Sequence, residues 1–163
     1  FWNEDSTRLP ERMAREYLTH LYRDNLFANG NFEIEGTRVG IDDIKIPHYA
    51  VACEKDHIAP WLASFKGLTR VRGGGRFVLA QSGHIAGIVN PPAKQKYGYW
   101  VSDADPGADL DAWRAGTEAH NGSWWPDWVS WLARRSGKKI EAAESFPPSV
   151  PRLEPAPGRY VKE

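Results

Sequence analysis

Along the chain, segments whose apolar positions repeat at helical spacing alternate with shorter runs that are apolar throughout, and this alternation predicts the order of elements. Leu9–Asn25 (LPERMAREYLTHLYRDN) carries Met13, Tyr17, Leu18, Leu21 and Tyr22 on one stripe of an amphipathic helix, with Pro10 in the first turn, where its missing N–H is tolerated. Phe32–Ile34 and Thr37–Val39 alternate apolar and polar around Glu35-Gly36, the pattern of a short hairpin or of an edge strand leading inward. After Pro47, HYAVAC is a compact apolar run of the kind a buried parallel strand requires, and the polar loop Glu54-Lys55-Asp56-His57 follows it. Pro60 opens a helix, WLASFKGLTRV; Gly73-Gly74-Gly75 ends the unit, and Arg76–Ala80 (RFVLA) is a second buried strand. Strand, loop, helix, strand with a crossover of that length predicts a βαβ unit whose two strands are parallel neighbours in one sheet.

Farther on, Trp124–Ser136 (WWPDWVSWLARRS) places Trp124, Trp128, Trp131 and Leu132 on one aromatic face of a helix. From Glu144 onward, Pro147, Pro148, Pro151, Pro155 and Pro157 interrupt any regular element, so an extended or wrapping tail is expected there. No internal repeat is visible.

Composition narrows the class. A length of 163 residues corresponds to about one domain or a piece of a larger one, and 41% hydrophobic with 26% charged residues argues against a largely disordered chain. Twenty-one basic residues balance 21 acidic ones, which removes the electrostatic case for a nucleic-acid or anionic-membrane partner. No apolar run approaches the ~18–20 residues of a membrane span. The one cysteine, Cys53, has no partner for an intramolecular disulfide and fits a reducing compartment, with the cytoplasm as the default. The chain opens at Phe1, and FWNEDSTR has neither a basic nor an apolar leader region, so no signal peptide is expected and the sequence reads as truncated.

Asp56 and His84 follow the two buried strands, where chemistry sits in open α/β sheets. A histidine base needs a carboxylate to fix its tautomer, and acid followed by histidine is the chain order of α/β-hydrolase sites. The structural alternative is that Asp56 caps the Pro60 helix while His84 is an ordinary loop histidine, and spacing leaves both open. No G-x-S-x-G or G-x-C-x-G elbow occurs, so a nucleophile lies upstream or does not exist. Cys53 ends a strand and reads as a small buried hydrophobe. A metal set could recruit His48, Asp56, His57 and His84, but their spacing matches no ligand motif, and Gly73-Gly74-Gly75 precedes a strand, so it reads as a turn and not a phosphate cradle. Eight tryptophans, six of them from Trp100 to Trp131, form either core or an acyl- or sugar-binding platform. A non-catalytic Trp-rich binding module and a free-standing hydrolase using Cys53 are therefore the competing functions.

The segments FWNEDSTRLP, EKDHIAPW, SGHIAGIVNPPAKQKYGYW, GSWWPDWVSWLARRSG and EPAPGRYV resemble, in order, the C-terminal half of a class I polyhydroxyalkanoate synthase. The resemblance implies the C-terminal part of an α/β-hydrolase-like fold, a parallel sheet with flanking helices whose nucleophile-bearing half is missing. It implies a cysteine-dependent acyltransferase that polymerises (R)-3-hydroxyacyl-coenzyme A, with short substrates such as 3-hydroxybutyryl-coenzyme A preferred. Coenzyme A is then the leaving group and no cofactor is needed; the intact enzyme would be a homodimer on cytoplasmic polyester granules. Asp56 matches the catalytic aspartate and His84 the histidine that activates the nucleophile, and the chain alone would be inactive. Residues 1–44 would be a lid-region remnant with its connecting segment, 45–140 the catalytic half-domain and 141–163 the Pro-rich tail. Trp61, just after the acid loop, is a candidate wall of the substrate channel, with helix packing as its alternative. Whether His84 or Asp56 takes the proton of the 3-hydroxyl is left open.

Overall fold

A computed structural model describes residues 7–102, 106, 109–142, 153–155 and 158–159. The chain divides after Ser130 into two units. The first carries the sheet and the candidate residues Cys53, Asp56, Trp61 and His84.

The N-terminal helix α1 (Glu11–Glu16) starts directly after Pro10 and continues as wider turns over Tyr17–Arg23. Thr19 Oγ1 donates to the Arg15 carbonyl at 2.8 Å, a local competitor of the regular ladder, and the Asp24 N–H reaches back five residues to the Thr19 carbonyl. Met13, Tyr17, Leu18 and Tyr22 are exposed. β1 (Phe32–Ile34) and β2 (Thr37–Val39) form the expected antiparallel hairpin. Its two turn residues, Glu35 and Gly36, both have positive φ, the geometry whose twist matches that of the strands.

β3 (His48–Cys53), α2 (Trp61–Leu68) and β4 (Gly75–Ala80) form the expected unit, with β3 and β4 parallel from His48↔Gly75 to Cys53↔Ala80. The remainder of the sheet corrects the expectation of a purely parallel one. β5 (Gly98–Val101), α3 (Leu110–Ala115) and β6 (Glu118–Asn121) follow, and β4–β5 and β5–β6 are antiparallel, giving a mixed sheet in the order β3-β4-β5-β6 among the described residues. The physical reason lies in the connection. The chain leaving Ala80 contains no crossover helix, only a loop that turns at the carboxyl end of β4 and re-enters beside it, and this forces the antiparallel sense. α4 (Trp125–Ala133) falls within the predicted Trp124–Ser136 span. In the second unit, the Arg135 guanidinium lies 4.0 Å from the Trp131 ring centre. Most of the predicted Pro-rich tail lies outside the described residues.

The sheet's two faces are covered differently. On one, Ala52, Phe77 and Leu79 meet Phe65 and Leu68 of α2 and Trp113 of α3. The rings of Phe65, Phe77 and Trp113 form a closed triangle with centroids 5.2–5.4 Å apart, edge-to-face or tilted, as ring quadrupoles prefer. On the other, Cys53, Val78, Ala80, Tyr99 and Val101 are covered by Ile88, from the loop after β4, and by Trp124. No helix of the described residues is long and apolar enough to cross a membrane.

Phe77 is fully buried at the centre of that triangle. Phe77→Ala is expected to lower stability by about 3–5 kcal/mol, read as a shift in the denaturant midpoint with an unchanged slope.

Candidate active site

The register that pairs Cys53 with Ala80 starts the two following loops side by side. Backbone bonds then fasten them: the Glu54 N–H donates to the Ala80 carbonyl at 2.8 Å and the Lys55 N–H to the Ser82 carbonyl at 3.0 Å. Ser82 takes a positive φ, turning the chain so that His84 faces the first loop. The Asp56 carboxylate lies 3.1 Å from His84 Nδ1, with the aspartate side chain 8% exposed and the imidazole 35% exposed.

The same Asp56 Oδ1 accepts the Ile58 N–H at 2.8 Å and the Ala59 N–H at 3.0 Å. Asp56 thus both fastens the turn before α2 and holds the histidine; the alternative that it caps the Pro60 helix fails, since α2 starts after Pro60 with no side-chain cap. The Ala59 bond foremost, then those from Ile58 and His84, hold the Asp56 carboxyl below the usual range despite its desolvation. An ionised carboxylate only accepts, so Nδ1 of His84 is the donor in this bond, and in the neutral ring Nε2 presents its lone pair.

The loop from Ser82 to Asn90 is coiled tightly. The Gly87 N–H closes on the Gly83 carbonyl and the Val89 N–H on the Ile85 carbonyl, both at 2.8 Å. A Cβ at Gly87 would lie 2.6 Å from Cys53 Sγ, 2.6 Å from the Gln81 carbonyl oxygen and 2.9 Å from that of Gly83, so glycine alone permits this approach to the sheet. Burial, reinforced by the nearby Asp56 charge, pushes the Cys53 thiol up to about 11, far from a reactive thiolate. Cys53 is 1% exposed and serves as floor beneath the loop.

Other candidates fall elsewhere. His48 begins β3, at the end opposite Asp56, with Nδ1 2.6 Å from the Ile46 carbonyl. His57 does face His84, its ring centre 5.4 Å away. Among the described residues no group of three or more His, Cys, Asp and Glu could hold a metal ion. Trp61 opens α2 and packs, half-buried, against the Phe65–Phe77–Trp113 core. Trp124 and Trp125 are half-buried and Trp128 is 39% exposed. The first two donate their indole N–H groups to the carbonyls of Gly87 and Ile88, each at 3.0 Å. Their role at the histidine loop, like that of Gly87, was not visible in the spacing; the crowding of tryptophans after Gly122 was the one signal available.

These features define an α/β protein whose acid–histidine pair stands at the carboxyl ends of two adjacent parallel strands. No family model matches the chain. Over nearly its whole length the chain is similar to a part of poly(3-hydroxyalkanoate) polymerases. It is 44% identical over 164 residues to the poly(3-hydroxyalkanoate) polymerase subunit PhaC of Cupriavidus necator, covering 99% of this chain and 28% of that protein. It is 41% identical to the corresponding subunit of Rhizobium meliloti (99% and 26% covered) and 37% identical to poly(3-hydroxyalkanoate) polymerase 2 of Ectopseudomonas oleovorans (99% and 29%). The chain therefore spans little more than a quarter of the length of these relatives.

Two outcomes are expected from this geometry. Gly87→Ala should lower the thermal unfolding midpoint, and adding Cys53→Ala should not restore it, because two of the three clashing atoms are backbone oxygens that remain. The depressed Asp56 carboxyl stabilises the folded state fully above the ordinary carboxylate range, and that contribution is lost as pH falls through its lowered folded value. Asp56→Asn should accordingly flatten the acid limb of a stability profile taken from about pH 7 to about pH 2.

Proposed function

We propose that the chain supplies the acid and the base of a cysteine-dependent acyltransferase, a polyhydroxyalkanoate synthase that polymerises (R)-3-hydroxyacyl-coenzyme A and releases coenzyme A. The observation that carries this reading is the hydrogen-bonded Asp56–His84 pair, whose Nε2 is left to act. The similarity to poly(3-hydroxyalkanoate) polymerases supports the reaction class. In this reading residues 45–140 belong to an α/β-hydrolase-like catalytic domain, residues 1–44 to the lid region and its connection, and 141–163 to a tail. The nucleophilic cysteine belongs to a part of the protein outside this sequence, since the one thiol here is buried and raised.

Nε2 of His84 takes the proton of the nucleophilic thiol, and Asp56 stabilises the resulting imidazolium. The thiolate attacks the substrate thioester carbonyl, the carbon–sulfur bond to coenzyme A breaks, and His84 returns the proton to the departing thiolate. The 3-hydroxyl of a second unit then attacks the enzyme-bound acyl group; as the ester forms, the carbon–sulfur bond to the enzyme cysteine breaks, and the hydroxyl proton passes through the base to the released thiolate. His84 suits this second transfer better than Asp56, because a carboxylate held below its usual range and engaged by three donors is the poorer acceptor.

Ile58 of the acid loop and Ile85 and Val89 of the histidine loop are exposed around the pair, an apolar rim suited to a polyester product. Trp61 is the candidate wall on the α2 side. The GHIAGIVNPPAK and GSWWPDW segments favour short acyl chains such as 3-hydroxybutyryl. Homodimerisation and residence on cytoplasmic polyester granules belong to the same reading.

The test is coenzyme A release from (R)-3-hydroxybutyryl-coenzyme A by the full-length protein, followed as free thiol. His84→Gln is expected to lose about 10²–10⁴-fold in kcat, whereas Cys53→Ala keeps most of the activity. Equal damage by Cys53→Ala in a folded protein would overturn the assignment of the nucleophile to another cysteine.

A further inference from the structure

Resting on that reading of His84, we infer that Trp124 and Trp125 are positioning residues, which hold the histidine in reacting geometry by binding two consecutive carbonyls of its loop. The loop has glycines at 83 and 87, and its one apolar residue packed on the sheet is Ile88. Left to its own backbone bonds, such a segment would let the imidazole drift, and a displacement of about 1 Å at a reacting group costs on the order of 10² in rate. The carbonyls of Gly87 and Ile88 end the coil that begins at Gly83, and the turn closed by the Gly87 N–H on the Gly83 carbonyl encloses His84. Fixing those carbonyls therefore fixes the turn carrying the imidazole. Two adjacent indole donors meeting two adjacent acceptors, both at 3.0 Å, set the loop's rotation as well as its height.

The donors are themselves mounted on the strands that present the pair. Ser123 Oγ accepts the Trp125 N–H at 3.1 Å at the start of α4. One turn on, Asp127 receives Arg76 Nε at 2.9 Å, Arg76 Nη2 at 2.7 Å and the Tyr49 hydroxyl at 2.7 Å. Tyr49 and Arg76 are cross-strand partners in β3 and β4. The Trp124 ring also lies 6.2 Å from that of Tyr49. The ion pair is sheltered, with side chains 15% and 19% exposed, so the mount differs from a screened surface bridge. From β3 through Asp56, His84, the two indoles and Asp127 the contacts return to β3, a closed mechanical circuit around the site.

Trp128 provides the control. It packs on Trp124 with ring centres 6.1 Å apart, and replacing it removes aromatic surface from the same cluster. In the full-length protein, Trp124→Phe and Trp125→Phe are each expected to lower kcat for coenzyme A release from (R)-3-hydroxybutyryl-coenzyme A by about tenfold or more. KM should stay within about threefold, Trp128→Phe should stay within about twofold of wild type, and all three unfolding midpoints should be similar. If a phenylalanine variant does not fold, replacing the indole by benzothiophene, which keeps the size and removes only the N–H, gives the same comparison. Variants at 124 and 125 no slower than Trp128→Phe would overturn the positioning role. The His84→Gln protein separates the two ideas. If it is as fast as wild type the catalytic reading falls, and if it is inactive beside unimpaired tryptophan variants only the positioning role falls.

Discussion

The parallel pairing of β3 with β4 is the constraint from which the rest of the unit follows. Its register sets Cys53 beside Ala80 at one end and Tyr49 beside Arg76 toward the other. The first adjacency lets a carboxylate three residues after Cys53 reach an imidazole four residues after Ala80; the second lets one carboxylate of α4 bind both strands. Slipping the register by one residue would turn Tyr49, Val51 and Cys53 toward the α2 face and undo both arrangements together. Site and mount are therefore coupled by backbone geometry before any side chain is chosen.

The unequal cover of the two sheet faces has a consequence for the site. α2 and α3 cover one face with large aromatic side chains, as helices cover sheets generally. The other is covered by the histidine loop and Trp124, so the loop belongs to the core it shields. Its closeness to Cys53 and its enclosed backbone bonds make displacement expensive, since moving it uncovers Val78 and Ala80. Burial of Ile88 thus anchors a segment without regular structure to the sheet, and the indole bonds of Trp124 and Trp125 fix its orientation.

What the sequence revealed divides along the range of the interactions. The elements α1, β3, α2 and β4 were legible because each carries its own apolar pattern, and the placement of Asp56 and His84 after consecutive strands followed. β6 was not legible: Glu118-Ala119-His120-Asn121 has no strand-like alternation and is a strand because β5 pairs with it. β5 is short, and its antiparallel sense depends on a loop path that no local pattern encodes. At the site, the aromatic stripe after Gly122 was visible, but its partners are carbonyls 37 residues away, and the Tyr49–Asp127 bond spans 78. Spacing reports neighbours on one element; these contacts join different ones through backbone oxygens that have no signature in residue identity.

The two key aspartates show how similar carboxylates are fitted to different tasks. Desolvation works against both, and both are held below the usual carboxylate range, but by different donors. For Asp127 the decisive partners are the Arg76 guanidinium and the Tyr49 hydroxyl, so its charge is neutralised locally and serves to tie elements together. For Asp56 the main donors are the backbone N–H groups of Ala59 and Ile58, which carry no net charge. They keep the carboxylate ionised and fix its direction without cancelling its field. A guanidinium in their place would lower the carboxyl equally well, yet it would repel the imidazolium that forms when His84 accepts a proton. Holding Asp56 by backbone amides leaves its negative charge available to the histidine, which is what a carboxylate supporting a base requires.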